Sequence, residues 1–379
     1  MLDRMRLVFA ASTSQRGSGR FFVQFFLERF VREYETYLVT FASPIPIPDG
    51  VRTISLRDFW KPSDIRKLDS FRIALGTFWR ILQLRRCLKS IRPHIVVGNY
   101  VTTYGLYASV CGFRPFVLCV YGSDVLVDPK RSLLHRWMIN RVIRSADLIL
   151  TDAEVGRRAV ISLGGSPRKI VCFPWVDLSD LCKANPDSTL RGRLGWSDKT
   201  VVVSVRMHEP HYAVDTLIRA IPSVIAQSPN VRFLVFGGGT QTPWLVRLAH
   251  ELNVEEFVHF AGIVPREKLP GYVKASDIYV STSLTDTTST SMLEAMSLGV
   301  PVVVTDWPGN TEWISDGLNG LMFGCCDSHA LAIAIVYLAV NRNEAELMAR
   351  RAMEQIRERI NWNLSFKELM NRMGSACAE

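Results

Sequence analysis

The sequence has no C-x-x-C pair. Its eight cysteines are scattered, with only Cys325 and Cys326 adjacent, which is neither a disulfide framework nor a zinc-ligand spacing and fits reduced cytosolic thiols. Long apolar runs are missing as well: ALAIAIVYLAV, at 330–340, has eleven residues, where a spanning helix needs about 20. The opening stretch MLDRMRLVFAASTSQRGSG is too short in apolar residues for a signal-peptide core and turns polar at once. A soluble or peripheral cytoplasmic protein is therefore expected. The aromatic-basic repeats of RNA-recognition modules and the Cys/His spacing of zinc fingers are absent, so no nucleic acid partner is expected. No metal site is legible either.

What is present points to packed cores. Of 379 residues, 48% are hydrophobic and 21% charged, which excludes wholesale disorder, and the length favours two domains. Charge is uneven along the chain. Residues 1–190 hold 28 Lys and Arg against 16 Asp and Glu, and the remainder hold 17 against 20. A basic half joined to a near-neutral half suggests different partners for each, and with nucleic acid set aside an anionic membrane or phosphorylated substrates are the options for the basic one.

Short β-branched runs alternate with longer amphipathic stretches, the pattern of parallel sheets with crossover helices. Strands are expected at 5–10, 36–41, 94–99, 116–122, 147–152 and 169–174, then at 200–205, 233–239, 258–264, 278–283 and 300–306. Their apolar runs are continuous rather than alternating, so both faces are buried. The polar stretch 178–199 breaks the rhythm. The expected fold class is α/β: two doubly wound Rossmann-like domains, 1–185 and 186–355, facing a cleft. Residues 356–379 are expected to form a helix that packs back on the first domain. Ligands of such sheets sit beyond the carboxyl ends of the strands.

Residues 64–92 stand apart. Leu68, Phe71, Leu75, Phe78, Trp79 and Leu82 recur at helical spacing, interleaved with Arg66, Lys67, Arg72, Arg80, Arg85, Arg86, Lys89 and Arg92. A basic amphipathic helix of this kind suits an anionic membrane surface; an ordinary helix packed on the sheet is the other reading.

The richest segment is 278–313, IYVSTSLTDTTSTSMLEAMSLGVPVVVTDWPGNTEW. A strand ends near Ser283, a Thr/Ser loop follows, and SMLEAMSLG forms a helix stopped at Gly299. Unpaired N–H groups at a helix start cradle phosphate, and Ser289, Thr290 and Ser291 add hydroxyls there. An acid would repel phosphate, so Glu294 is better suited to sugar hydroxyls. Ser291 and Glu294 also match a capping box, in which the acid serves only the helix end.

Asp286 and Glu294, with seven residues between them, followed by Glu294-Ala295-Met296-Ser297-Leu298-Gly299-Val300-Pro301-Val302-Val303, resemble the retaining GT-B glycosyltransferases of family 4, the group 1 glycosyl transferases. The likeness continues through Pro308-Gly309-Asn310-Thr311-Glu312-Trp313 and Gly317-Leu318-Asn319-Gly320. It implies that Glu294 binds the ribose of a nucleotide sugar and that Asp286, Asp where the family usually has Glu, lies near the transferred sugar. The amides around Thr288, Ser289 and Thr290 would hold the diphosphate. Arg206 matches the family's diphosphate Arg, and Tyr212 stands where a Lys is usual; the alternative for Arg206 is a pair with Glu209. Gly237 and Gly238 would floor the cleft, and Val264 would meet the base through its backbone, leaving UDP and GDP both open.

In the first domain, Arg16-Gly17-Ser18-Gly19 lacks the third glycine of a dinucleotide fingerprint, which argues against an NAD enzyme. The resemblance brings Gly17 and Gly19 to the diphosphate. Tyr121-Gly122-Ser123-Asp124 resembles the family's H-G-S-D, which turns Asp124 toward acceptor or sugar; a helix N-cap is the alternative. Pro174-Trp175-Val176-Asp177 is structural. The implied protein is a hexosyl-type glycosyltransferase with no cofactor and no metal. It would act on a glycan or lipid-linked acceptor in cell-surface polysaccharide or glycolipid synthesis, peripheral on the inner face of the membrane. A nucleotide-sugar epimerase and a non-catalytic nucleotide-sugar binder share the architecture and stay open.

Overall fold

The computed structural model describes residues 5–11, 19–41, 47–56, 70–178, 181 and 184–378. The chain divides into two compact units, one made of residues 1–173 with 363–379 and the other of residues 174–362. The division falls after Phe173, not near 185. Val176 and Leu178, which follow the last strand of the first unit, are buried in a core cluster of the second.

The first unit runs β1 (Arg6–Ala10), α1 (Gly19–Glu33), β2 (Glu35–Thr40), β3 (Arg52–Ser55), α2 (Ser70–Ile91), β4 (Ile95–Asn99), α3 (Leu106–Cys111), β5 (Phe116–Cys119), α4 (Ser123–Leu126), α5 (Leu133–Ser145), β6 (Leu148–Thr151), α6 (Glu154–Ser162) and β7 (Ile170–Cys172). Its seven strands are parallel in the order β3-β2-β1-β4-β5-β6-β7. Alternate residues of each strand feed opposite faces. Val8 and Val96 join Leu84 and Leu88 of α2, Ala108 of α3 and Ile139 of α5 in one core. Phe9 faces the other way, with its ring 6.2 Å from Phe26 and 6.1 Å from Phe30 of α1. The last helix of the chain, Trp362–Ala378, adds Phe366, 6.0 Å from Phe30.

The second unit runs α7 (Leu190–Arg193), β8 (Thr200–Val205), α8 (Val214–Gln227), β9 (Val231–Phe236), α9 (Thr242–Glu251), β10 (Val258–Gly262), α10 (Leu269–Lys274), β11 (Ile278–Ser281), α11 (Thr290–Ser297), β12 (Val302–Thr305), α12 (Pro308–Thr311), β13 (Leu321–Phe323), α13 (Ser328–Val340) and α14 (Arg342–Arg359). Its six parallel strands are ordered β10-β9-β8-β11-β12-β13. Val202, Val280 and Val303 pack under α8 and α13, and their strand neighbours Val203, Tyr279 and Val304 pack under α11 and α14. Both sheets are thus doubly wound, and each chain path reverses at one point: between β1 and β4, and between β8 and β11. The apolar run 330–340 lies in α13, and no helix among the described residues is long and apolar enough to cross a membrane.

Candidate active site

The reversal point of the second sheet places two loops side by side. Arg206 is the first residue beyond β8, and residues 282–289 link β11 to α11. The Arg206 guanidinium uses every face. Its Nε donates to Ser281 Oγ at 3.0 Å, one Nη lies 2.8 Å from Asp286 Oδ2, and the other donates to the Ser289 hydroxyl. The Tyr212 ring packs against it, its centroid 5.6 Å from the guanidinium carbon. Arg206 and Asp286 side chains are only 9% and 15% exposed, so each charge depends on the other. Burial is the largest influence and works against the charged Arg206, but Asp286, Tyr279 and Tyr212 together outweigh it and raise the guanidinium pKa. Burial also pushes the Tyr212 phenol up to about 12.

Arg206 therefore pairs with Asp286 and not with Glu209. Glu209 instead accepts from the backbone N–H and the hydroxyl of Thr240, tying the β8 loop to the β9 loop. Among the described residues, nothing supplies a second cation at Tyr212; its ring serves Arg206.

The loop carrying Asp286 is fixed from both sides. Thr282 donates to the Tyr212 carbonyl at 2.7 Å and the Leu284 N–H to the His211 carbonyl at 3.0 Å. Across the loop, Trp307 Nε1 donates to the Asp286 carbonyl at 2.9 Å and Thr305 to the Ser283 carbonyl. Gly309 allows this approach, since a Cβ there would lie 2.3 Å from the Asp286 carbonyl oxygen. Gly309 belongs to the Pro308–Trp313 motif and Trp307 precedes it, but their role as a clamp on residues 286–287 is not legible in the sequence.

Helix α11 starts at Thr290 and is capped by Ser289, whose hydroxyl accepts from the Met292 N–H. The capping-box alternative at Ser291 falls on this point. Ser291 instead hydrogen-bonds the Tyr279 hydroxyl at 2.7 Å, and Glu294 turns away from the helix end. The Glu294 side chain is 8% exposed, and its carboxylate pairs with Arg266, from the short turn Arg266–Lys268 after β10. Burial raises the Glu294 pKa, and Arg266, then Arg206, pull it back. Arg266 was missed in the sequence: it lies 28 residues away in a polar loop, with no motif around it.

The strand-end glycines are tightly placed. Gly237 has φ +125° and donates to the Gly262 carbonyl at 2.9 Å, and Gly238 lies against Ile263. Val264, half-buried, packs on the core beneath α10 and α11. Thr288 is buried beside Ser289.

In the first unit, Asp124 is fully buried within α4, whose N-cap is Gly122, so it is not itself the cap. Its carboxylate accepts from the N–H groups of Tyr121, Gly122 and Val101 at 2.9–3.0 Å. Burial pushes its pKa up to about 6 against those three bonds. Such a carboxylate staples two backbone segments together, the one at Val101 and the turn at 121–122. Gly19 opens α1, and Gly17 lies outside the described residues. No group of three or more His, Cys, Asp and Glu suited to a metal occurs among the described residues.

The chain is similar to known proteins in sequence and in fold. Residues 198–341 match the family model "Glycosyl transferases group 1", and residues 43–153 match "Glycosyl transferase 4-like". A GDP-mannose-dependent alpha-(1-6)-phosphatidylinositol monomannoside mannosyltransferase of Mycolicibacterium smegmatis is 28% identical over 253 residues, 64% of this chain and 66% of the relative. A D-inositol 3-phosphate glycosyltransferase of Kribbella flavida is 27% identical over 254 residues, 64% of this chain and 59% of the relative. The chain thus spans somewhat under two thirds of the length of these curated relatives. In fold, Anabaena Alr3699/HepE, solved in complex with UDP-glucose, superposes with a TM-score of 0.81 at 18% identity, covering 98% of this chain and 100% of the other. Sucrose-phosphate synthase of Thermosynechococcus elongatus gives the same TM-score of 0.81 and the same 18% identity, covering 98% of this chain and 100% of its own. Both likenesses confirm two Rossmann-like domains of the GT-B class. The two family models thus match in tandem, the group 1 glycosyl transferase model on the second unit and the glycosyl transferase 4-like model on the first.

Proposed function

We propose that the chain is a retaining glycosyltransferase that moves a sugar from a UDP- or GDP-linked donor to a glycan or lipid-linked acceptor. The observation that carries this is the convergence of Arg206, Ser289 and the start of α11, with the Glu294 carboxylate one turn further on. A leaving diphosphate needs positive charge and N–H donors placed in advance, which Arg206 and the amides at 288–290 supply. A ribose diol needs a fixed acceptor, which Glu294 supplies. The mycobacterial relative named for GDP-mannose and the neighbour bound to UDP-glucose support a nucleotide-sugar donor. In the transfer, the acceptor oxygen forms its bond to the anomeric carbon as the bond to the diphosphate breaks. The acceptor's proton passes to the departing diphosphate oxygen on the same face, so configuration is retained.

Donor binding is testable by melting temperature with UDP, GDP, ADP, their sugars and NAD. A nucleotide at 100 times its dissociation constant should add about 2.7 kcal/mol. The expected result is stabilisation by UDP or GDP and their sugars, abolished by Glu294→Ala. Stabilisation by NAD alone, or one indifferent to Glu294, would sink the assignment. Turnover without an acceptor would point to epimerisation, and binding with no turnover on any acceptor to a non-catalytic relative.

The membrane part rests on the first unit. Helices α2, α3 and α5 share one face of its sheet, and Phe78, Leu133, Leu134 and Trp137 are 58%, 87%, 70% and 63% exposed there. Between Pro129 and Ala146 the chain has five Lys and Arg and no acid. Exposed Trp and Leu beside arginines suit an anionic interface. The protein should sediment with phosphatidylglycerol vesicles at low salt and not with phosphatidylcholine vesicles. Leu133→Ser with Leu134→Ser should weaken this several-fold, and a protein left in the supernatant at low salt would refute peripheral binding. Helix α2 begins at Ser70, and residues 64–69 of the basic stretch lie outside the described residues.

A further inference from the structure

We propose that Arg266 is the positioning residue for the donor nucleoside: it grips one oxygen of Glu294 and so presents the other, ionised, to the ribose hydroxyls. The inference rests on the donor reading above and adds to it a residue outside every recognised motif.

The geometry is specific. An Arg266 Nη bonds Glu294 Oε1, and among the described residues this is the sole hydrogen bond the carboxylate makes, which leaves Oε2 as an acceptor. Glu294 is buried on α11. A buried carboxylate without a cation takes up a proton instead of keeping its charge, and the protonated acid is a poorer acceptor for a diol. Two cations face Glu294. Arg206 is the weaker influence, and its charge is committed to Asp286. Arg266 is the stronger, and it alone makes contact. Its side chain is 44% exposed, so the guanidinium links the buried acid to the surface where a ligand arrives. It also stands two positions beyond Val264, on the turn that would meet the base.

A purely structural tie between this turn and α11 would alter stability and nothing else. The two roles separate in the pH dependence of binding. Below the pKa of an acid that must be ionised, affinity falls about tenfold per pH unit. Arg266 offsets part of the rise that burial causes and so holds that loss to lower pH; without Arg266 the loss moves to higher pH.

The experiment measures the dissociation constants of UDP, GDP and inorganic pyrophosphate from about pH 5 to about pH 9. It compares the natural protein with Arg266→Ala, Arg266→Lys and Glu294→Gln, each checked for folding by its melting curve. Expected for Arg266→Ala is nucleotide binding weakened about tenfold near pH 6, with the gap closing as pH rises. Arg266→Lys should restore part of it. Pyrophosphate, which has no ribose, should bind all variants alike, and Glu294→Gln should show no such pH profile. Binding by Arg266→Ala within twofold of the natural protein at every pH overturns the inference. A uniform loss at every pH, or a loss that extends to pyrophosphate, also overturns it. If the natural protein binds neither UDP nor GDP, the donor reading fails first and takes this inference with it.

Discussion

Arg206→Ala is expected to lower the rate of nucleoside diphosphate release by 10²–10³-fold, on the order of what loss of one preorganised charge donor costs. The same change should destabilise the second unit. Asp286 would be left largely buried, facing a gap where its partner had been, and breaking a buried pair from one side costs about 3–5 kcal/mol. For a unit of this size that is a fall in melting temperature of roughly 6–20 °C. The two effects can be separated. Arg206→Ala with Asp286→Asn removes the orphaned charge and should recover much of the melting temperature, yet the rate should stay low because no cation meets the diphosphate. Arg206→Lys keeps the charge, but an ammonium cannot reach Ser281, Asp286 and Ser289 together as the planar fork does. Steady-state rates and melting curves on the three variants decide it. An Arg206→Ala protein with both values near those of the natural chain would remove Arg206 from the site.

The parts of the fold that were legible in the sequence are those buried on both faces. TVVVSV at β8 and VVVT at β12 are uninterrupted because α8 and α13 cover one side and α11 and α14 the other. Strand β3 was not legible. Its residues RTIS at 52–55 are mostly exposed at the edge of the first sheet, so no apolar run marks them. The sequence suggests a division near residue 185, later than the one after Phe173, for a related reason. Polarity rises after Leu178, but the packing has already changed hands at Pro174, and Val176 and Leu178 lie in the second core.

The site shows the same limit. Asp286 and Glu294 share one loop and helix, so their spacing displays them. Arg206 stands where a strand ends. Arg266 enters through a contact between distant loops, and pairings of that kind leave no local pattern. The serines show how one position decides a role. Ser289 and Ser291 both precede Glu294, but only Ser289 has the extended backbone and the bond to Met292 N–H that make a cap. Ser291 is already inside the helix, where its hydroxyl turns to Tyr279.

Gly237→Ala tests how closely the site depends on its backbone. At φ +125° a side chain is strained in any surroundings, at a cost of about 1–3 kcal/mol. Here the surroundings add a collision, because a Cβ would lie 1.8 Å from the Arg206 carbonyl oxygen. The ends of β8 and β9 must then separate. That breaks the Arg206 N–H bond to the Phe236 carbonyl at 3.2 Å and loosens the Gly237 bond to Gly262. Gly317→Ala is the matched control, with φ +72° but no atom within 4 Å of the added carbon. It should cost only the conformational strain, about 1 kcal/mol. Gly237→Ala should cost at least about 3 kcal/mol, a drop of roughly 6–12 °C against 2–4 °C for the control. It should also weaken UDP or GDP binding, because displacing the Arg206 backbone swings its guanidinium off Ser289 and Asp286, while Gly317→Ala leaves binding unchanged. Equal melting temperatures for the two variants would mean that the β8 and β9 loops yield without cost. The positioning of Arg206 would then have to come from its side-chain bonds alone.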